Sequence, residues 1–134
     1  MVDEVRVPVA SDLDIVVARA EGRRLALDLG FSKTDATLVA TAISEVARNI
    51  LTHAREGVIT ISTTNTGEIA ELTVVASDDG PGIPDVEQAL RDGYSTIGSL
   101  GLGLPGARRL VDEFEIESQD GKGTEVVMRK WRRL

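Results

Sequence analysis

Residues 71–84 read ELTVVASDDGPGIP, and this stretch decides the fold. Its first half predicts a β-strand, because Leu72, Val74 and Ala76 recur at every second position and so lie on one face of a pleat. Asp78 has the same parity, which places a carboxylate at the inner end of a buried row. A buried carboxylate needs a partner with donor hydrogens. The glycines and prolines that follow predict a sharp turn beside it.

Two interpretations of Asp78 stay open from the residues alone. The turn formed by residues 80–84 opens a cavity beside the acid, and a flat ligand with an exocyclic amine, such as adenine, would suit it. Alternatively, Asp78 caps the next turn through its own backbone. Short motifs of the D-x-G-x-G kind match many chains by chance, so other residues must decide between the two.

Composition limits the class of protein. The 134 residues have the size of one ordinary domain, so a single domain over 1–134 is expected. The chain is 42% hydrophobic but 3% aromatic, which predicts an aliphatic core, and its net charge of -7 argues against nucleic-acid binding. With no cysteine, disulfides and thiolate metal sites are excluded. There is no secretion signal and no apolar run of membrane-spanning length, so we expect a cytoplasmic protein without a membrane partner.

Hydrophobic periodicity predicts the other elements in the order strand, two helices, two strands, loop, helix and two strands. Ser11 and Ser32 each begin a helix and are each followed by an aspartate three residues later, which is a capping pattern. This order predicts an α+β fold, a two-layer α/β sandwich with one mostly antiparallel mixed sheet and helices on one face. The predicted strands are 5–9, 58–63, 69–77, 115–118 and 124–131, and the predicted helices are 11–29, 32–54, 84–90 (short) and 104–114, with a loop over 92–103.

The second helix contains candidate catalytic residues. Glu45 and Asn49 are four apart and share a helix face beside the apolar stripe. A carboxylate beside an amide suits a Mg²⁺-phosphate site, because the amide oxygen is a hard, uncharged ligand and the acid can take a proton. The alternative is a solvated helix face on which Glu45 pairs with Arg48.

Residues 98–103 read GSLGLG and lead directly into the third long helix. Free N–H groups and the positive end of a helix favour phosphate, and glycine lets the backbone approach an anion closely. The stretch is neither a Walker motif nor a Rossmann fingerprint, since no Gly-Lys-Ser/Thr follows it and no strand immediately precedes it. The alternative is a flexible surface loop.

Two further polar residues have local interpretations. Thr124 shares the parity of Val126 and Met128, so its hydroxyl is expected to point into the core, where it could share a water or a base edge with Asp78. It could equally be an ordinary strand threonine. His53, the single histidine, lies near a helix C-terminus, where a capping or dipole role is expected.

Together these motifs resemble those of the GHKL ATP-binding superfamily, which has the Bergerat fold. Glu45-x-x-Arg48-Asn49 resembles the N box and Asp78-x-Gly80-x-Gly82 resembles the G1 box. Gly101-Leu102-Gly103 resembles the G2 box, and Gly123-Thr124 resembles the closing threonine motif. The likeness covers nearly the whole chain and is closer still to one group, the RsbT-type serine kinases of bacterial stress-signalling modules.

The resemblance implies ATP and Mg²⁺ as cofactors and a role for each motif residue. Asp78 is implied to accept the adenine amino group, with Thr124 beside it, and Asn49 to hold Mg²⁺. Glu45 is implied to act as general base on the attacking hydroxyl. The remaining nucleotide contacts that it implies are Gly80, Gly82, Ile83, Gly98, Gly101, Leu102, Gly103 and Arg48.

The function implied is that of a serine/threonine-protein kinase whose substrate is a serine on a small STAS-domain partner in a stressosome. Kinases of this group also activate a PP2C-type phosphatase by binding it. One alternative is an anti-sigma factor of the same superfamily, which sequesters a sigma factor and phosphorylates its antagonist. A second alternative is a nucleotide-sensing interaction module without catalysis.

Other branches of the superfamily fit less well. Histidine kinases often carry a basic residue where this chain has Thr52, and a phenylalanine-rich segment where it has only Tyr94. We expect no phospho-accepting histidine helix before the domain. The DNA-topoisomerase and chaperone branches need additional domains, for which 134 residues leave no room.

Overall fold

The computed structural model describes residues 3–83, 90, 103–119 and 121–133. In these residues the order of strands and helices is the predicted one. None of the described helices is both long and apolar enough to cross a membrane. The predicted short helix over 84–90 and the predicted loop over 92–103 lie outside the described residues, except for residues 90 and 103. The elements are β1 (Asp3–Val9), α1 (Asp12–Asp28), α2 (Lys33–Ala54), β2 (Gly57–Asn65), β3 (Ile69–Asp78), α3 (Gly103–Leu110), β4 (Glu113–Gln119) and β5 (Gly123–Arg133).

The strands form one sheet in the order β1-β2-β3-β5-β4, and every pair of neighbours among them is antiparallel. Helix α1 packs on β1, α2 packs on β2 and β3, and α3 packs on α2. The prediction of an α+β sandwich with helices on one face is therefore confirmed. Because β3 and β5 are central neighbours, the end of β3 lies beside the start of β5.

The core between sheet and helices is aliphatic. Alternate residues of β3 are buried, as the period-two pattern predicts, and they face the apolar stripe of α2. Burial of one such side chain stabilises the fold by roughly 1.5–3 kcal/mol. The largest fully buried side chains are Ile43, Ile50, Ile59, Ile61, Leu72 and Met128.

The two predicted capping patterns behave differently. Ser32 accepts a hydrogen bond from the amide of Asp35 at 3.0 Å, so its side chain caps α2 as predicted. Ser11 makes no such bond at the start of α1. There the carboxylate of Asp14 accepts from the amide of Ala10 at 2.8 Å. Ser11 is the N-cap residue of α1, as the predicted helix start requires, but the expected hydrogen bond from its side chain is absent.

The predicted end of the third long helix is also wrong. We expected the helix to continue to Phe114, but α3 ends at Leu110 and β4 begins at Glu113. The amide of Asp112 donates to the carbonyl of Arg129 at 2.9 Å, and Phe114 pairs with Met128 of β5. Hydrogen bonding to β5 therefore replaces the last turn of the helix.

Candidate active site

Asp78 ends β3 on the helix-covered face of the sheet and is 9% exposed. Its Oδ1 accepts a hydrogen bond from the amide of Gly80 at 2.9 Å, so the turn-capping interpretation is correct for this atom. Within the described residues, Oδ2 has no hydrogen bond. The two interpretations of Asp78 are therefore compatible, because one oxygen can hold the turn while the other faces a ligand.

The turn after Asp78 lies against both α2 and the end of β4. A Cβ atom on Gly80 would lie 2.5 Å from the Cβ of Ala54, the last residue of α2. A Cβ on Gly82, whose φ is +83°, would lie 3.0 Å from the carbonyl carbon of Gln119. Both positions therefore need glycine, since a larger residue would push the turn away from its supports.

Concave surface lies on both sides of Asp78. One cavity has a volume of about 380 Å³ and is lined also by Ala54 and Gly57. The other has a volume of about 220 Å³ and is lined also by Thr124 and Lys122. Neither cavity is lined by the turn residues 80–83, so the cavity that the turn sequence predicts stays a prediction.

A polar row crosses three neighbouring strands at this end of the sheet. Asp78 pairs with Thr124 of β5, and Thr124 pairs with Ser118 of β4. The Thr124 hydroxyl is buried and lies 2.9 Å from the Ser118 hydroxyl. Sequence reasoning did not select Ser118. The sequence feature that could have identified Ser118 is its parity, because it is a polar residue at the same alternation as the inward-facing Phe114 and Ile116.

The carboxylate of Glu45 is buried on α2, with 7% of the residue exposed. The interpretation of a solvated helix face is wrong for Glu45, although the ion pair that it included is present. Arg48, whose side chain is 40% exposed, places Nη1 3.4 Å from Oε1 of Glu45. Asn49 is half-buried one turn along from Glu45. Burial of a carboxylate is costly, so this position has a cost in stability that a functional role would explain.

Helix α2 connects the two parts of the site. Its last residue, Ala54, touches Gly80 of the Asp78 turn, and Glu45 lies nine residues earlier. At 1.5 Å per residue the separation along the helix is roughly 14 Å. The turn that is predicted to bind adenine therefore contacts the last residue of α2, and the predicted general base lies on the same helix.

The predicted phosphate-binding glycines are for the most part not described. Gly98, Gly101 and Leu102 lie outside the described residues, and Gly103 is the first residue of α3 with a φ of +51°. Helix α3 itself packs on α2. The ligand contacts of all the site residues stay predictions.

The comparisons with known proteins agree on the family. The model of the histidine kinase-like ATPase domain matches residues 9–130. The chain is 46% identical over 133 residues to the serine/threonine-protein kinase RsbT of Bacillus subtilis (strain 168), which is 99% of this chain and 100% of that protein. It is 35% identical over 99 residues to an anti-sigma F factor of Thermoanaerobacter sp. (strain X514), covering 69% of this chain and 68% of the factor.

A solved structure shows the same fold. The RsbU and RsbW domains of Rv1364c from Mycobacterium tuberculosis superpose with a TM-score of 0.62 and 21% identity, over 98% of this chain and 32% of that one. The resemblance to the GHKL superfamily and its RsbT-type group is confirmed, as is the prediction of a kinase. Use of ATP follows from the family. The chain belongs to the histidine kinase-like ATPase domain family.

Proposed function

We propose that the protein is an ATP- and Mg²⁺-dependent serine/threonine-protein kinase of a bacterial stress-signalling module, the stressosome. Its substrate is a serine on a STAS-domain partner, and it afterwards activates a PP2C-type phosphatase by binding it. The observation that carries the proposal is the buried carboxylate of Glu45 on the helix that also supports the Asp78 turn. Similarity to RsbT along the whole chain supports it.

Phosphoryl transfer needs positioning and charge neutralisation more than covalent chemistry from the protein. In the proposed reaction Glu45 accepts the proton of the partner's serine hydroxyl. Its Oε1 pairs with Arg48, which orients the carboxylate and leaves Oε2 for that hydroxyl. The role of Arg48 is then to hold the base in place.

The residues present fit the nucleotide and the metal. The Oδ2 atom of Asp78 can accept from the adenine amino group, and Thr124 lies beside it in the sheet. Asn49 would supply an amide oxygen to Mg²⁺, and the metal would neutralise phosphate charge when bound. The described residues contain no cluster of three or more His, Asp or Glu side chains that could hold a metal ion. The N–H groups at the start of α3 support phosphate binding by residues 98–103.

The surface supports a function that depends on partner proteins. Leu13, Val16 and Val17 of α1 are 69%, 47% and 43% exposed, and their spacing places them on one face of the helix. Exposed apolar patches of this kind are typical of protein interaction sites. We also propose that residues 1–134 act as one kinase domain in the cytoplasm, and the single core that joins the sheet to all three described helices supports one domain.

The decisive assay mixes the purified protein with Mg²⁺, labelled ATP and a small STAS-domain protein. Glu45→Gln keeps the size of the side chain, so it should abolish transfer to the partner's serine while ATP still binds. Asp78→Asn should weaken ATP binding directly. Glu68→Gln, in the exposed β2–β3 turn, is the matched control and should change neither activity. Equal loss of transfer and of ATP binding in Glu45→Gln would contradict the general-base role of Glu45. Unchanged ATP affinity in Asp78→Asn would contradict an adenine pocket at Asp78.

A second candidate is an anti-sigma factor that sequesters a sigma factor and phosphorylates its antagonist. The identity to anti-sigma F factors favours it. The same ATP-binding residues serve both functions, so only the identity of the bound partner protein distinguishes one function from the other. Retention of a sigma factor, and not of a STAS protein or a PP2C-type phosphatase, in a pull-down would establish this second function. Tight ATP binding with no transfer to any partner would instead indicate a nucleotide-sensing module.

A further inference from the structure

The three described helices cover one face of the sheet, and among the described residues no second layer covers the other face. This open face is formed by the residues of each strand that alternate with the buried ones, which on β5 are Glu125, Val127, Arg129, Trp131 and Arg133. An antiparallel sheet can leave one face in water, and that face is then expected to be polar. The open face departs from this expectation at one end.

Two large apolar side chains are exposed at that end of the open face. Trp131, the single tryptophan of the chain, is 40% exposed, and Ile69 is 39% exposed. They lie on neighbouring strands, because Ile69 pairs with Arg133, two residues beyond Trp131. Diagonal neighbours of this kind are within reach of an aromatic ring, so the two side chains form one apolar patch. Tryptophan is enriched among the residues that dominate the energy of protein interfaces, which makes this patch a candidate contact.

The opposite end of the open face is acidic. Glu117 of β4 pairs directly with Glu125 of β5, and both are exposed. Like charges that lie directly opposite each other destabilise a sheet. Neither carboxylate makes an ion pair or a hydrogen bond with another described residue. This pair of glutamates therefore has a cost in stability that a cation from a bound partner would remove.

Arg133 supplies a cation of this kind at the other end of β5. Its side chain is exposed and makes no ion pair or hydrogen bond within the described part of the chain. It lies eight residues beyond Glu125, which is roughly 26 Å at 3.3 Å per residue. Arg129 lies midway between them, and three glutamates of β3 and β4 already balance its charge. Glu125 and Arg133 are too far apart to pair in one molecule, so these two charges can meet only between two copies.

The order of these residues along β5 is self-complementary. A half-turn about an axis through Arg129, parallel to the sheet and perpendicular to the strand, exchanges the positions of Glu125 and Arg133. The same rotation exchanges Val127 with Trp131. Two copies related in this way have antiparallel β5 strands, with acid facing base at both ends and apolar side chains facing each other between them. A contact of this kind is isologous, so it closes to a dimer.

The area of the open face is sufficient for a weak dimer. Five strands about 4.8 Å apart and about 26 Å long give the face roughly 600 Å². Two such faces together bury roughly 1,200 Å², which is the lower limit for specific interfaces. Sheets that pack face to face keep their strands within about 30° of each other, and an antiparallel arrangement of the two β5 strands allows this.

We propose that the open face is the interface of a reversible homodimer. In the dimer Trp131 and Ile69 are covered, and Arg133 of each copy faces Glu117 and Glu125 of the other. The helices lie on the far side of each sheet, so α1 and the other helices stay accessible to further proteins. The dimer does not depend on the proposed kinase function.

Sedimentation equilibrium at protein concentrations up to about 100 µM measures the dimer, since an interface near the lower size limit gives a weak contact. Trp131→Ala should weaken the dimer at least about tenfold. Glu125→Arg and Arg133→Glu should each have a similar effect, because each substitution places like charges together at two symmetric contacts. The double variant restores opposite charges and should dimerise within about threefold of the wild type. In the wild type, dilution should shift the emission of Trp131 to longer wavelength as the ring returns to water.

Two variants on α1 are the controls. Arg19→Glu changes the net charge as Arg133→Glu does, and Leu13→Asp alters the exposed apolar face of α1, so both should leave the dimer unchanged. Loss of the dimer in Leu13→Asp and its persistence in Trp131→Ala would place the interface on α1 and overturn the inference. A wild-type protein that is monomeric at every concentration would overturn it too. So would a double variant that is folded by circular dichroism but dimerises no better than the single charge variants.

Discussion

Replacement of Gly123 by alanine should destabilise the protein and displace Asp78. Gly123 begins β5 with a φ of +98°, a conformation that L-residues rarely adopt. A Cβ there would lie 2.9 Å from the carbonyl carbon of Asp78 and 3.0 Å from the Cα of Asp79. Both neighbours are backbone atoms, so no side-chain rotation can relieve the contact.

The expected magnitude has two parts. A positive φ costs an alanine roughly 1–2 kcal/mol. The contact with the Asp78 backbone adds a cost of overpacking, about 1–3 kcal/mol. Gly121 isolates the first part, because it has a φ of +76° but no atom of the described residues within 4 Å of the place where a Cβ would lie. We therefore expect Gly121→Ala to lower the free energy of unfolding by about 1–2 kcal/mol and Gly123→Ala by about 2–5 kcal/mol.

Urea denaturation followed by circular dichroism measures both free energies of unfolding. Calorimetric titration with ATP, under conditions where each variant is folded, measures the effect on the site. Folded Gly123→Ala should bind ATP at least about tenfold more weakly, since a shift of the Asp78 backbone moves the acceptor away from the base. Gly121→Ala should bind like the wild type. Equal destabilisation of the two variants, or normal ATP binding by Gly123→Ala, would refute the reasoning.

Three further predictions concern stability. Ser32→Ala should lower the free energy of unfolding in urea by about 1 kcal/mol, whereas Ser11→Ala should change it little, and equal effects would contradict the assignment of the caps. Leu25→Ala should cost about 2–5 kcal/mol in thermal denaturation because the side chain is buried, and the exposed Leu13→Ala should stay within about 0.5 kcal/mol. Arg129→Ala removes ion pairs to three glutamates on β3 and β4, so the resulting drop in melting temperature should become smaller as the salt concentration is raised. A drop that does not depend on salt would contradict an electrostatic cause.

Sequence patterns predicted the elements that depend on local chemistry. The alternation through residues 71–78 predicted β3 and its inward carboxylate, and Asp78 lies at that place. The serine-aspartate pattern at Ser32 predicted the start of α2. Parity predicted that the Thr124 hydroxyl points into the core, and the family resemblance implied that Thr124 lies beside Asp78, as the pairing of β3 with β5 shows. These features follow from periods of two and 3.6 residues, which neighbours along the chain determine.

Other features depended on contacts between segments distant in sequence. Residues 111–114 fit the end of a helix locally, and only hydrogen bonding to β5 makes residues 113 and 114 the start of β4 instead. Whether Glu45 faced solvent was open in the sequence, because helical spacing shows which residues share a face but not what covers it.

The sequence alone determined the order of the elements, the parity of Asp78 and the motifs that mark an ATP-binding fold. Tertiary structure alone decided the burial of Glu45 and the hydroxyl contact between Ser118 and Thr124. Propensity and periodicity act between residues a few positions apart, so they can be read along the chain. Burial and hydrogen bonding across strands depend on which surfaces meet, and that is settled only when sheet and helices pack together.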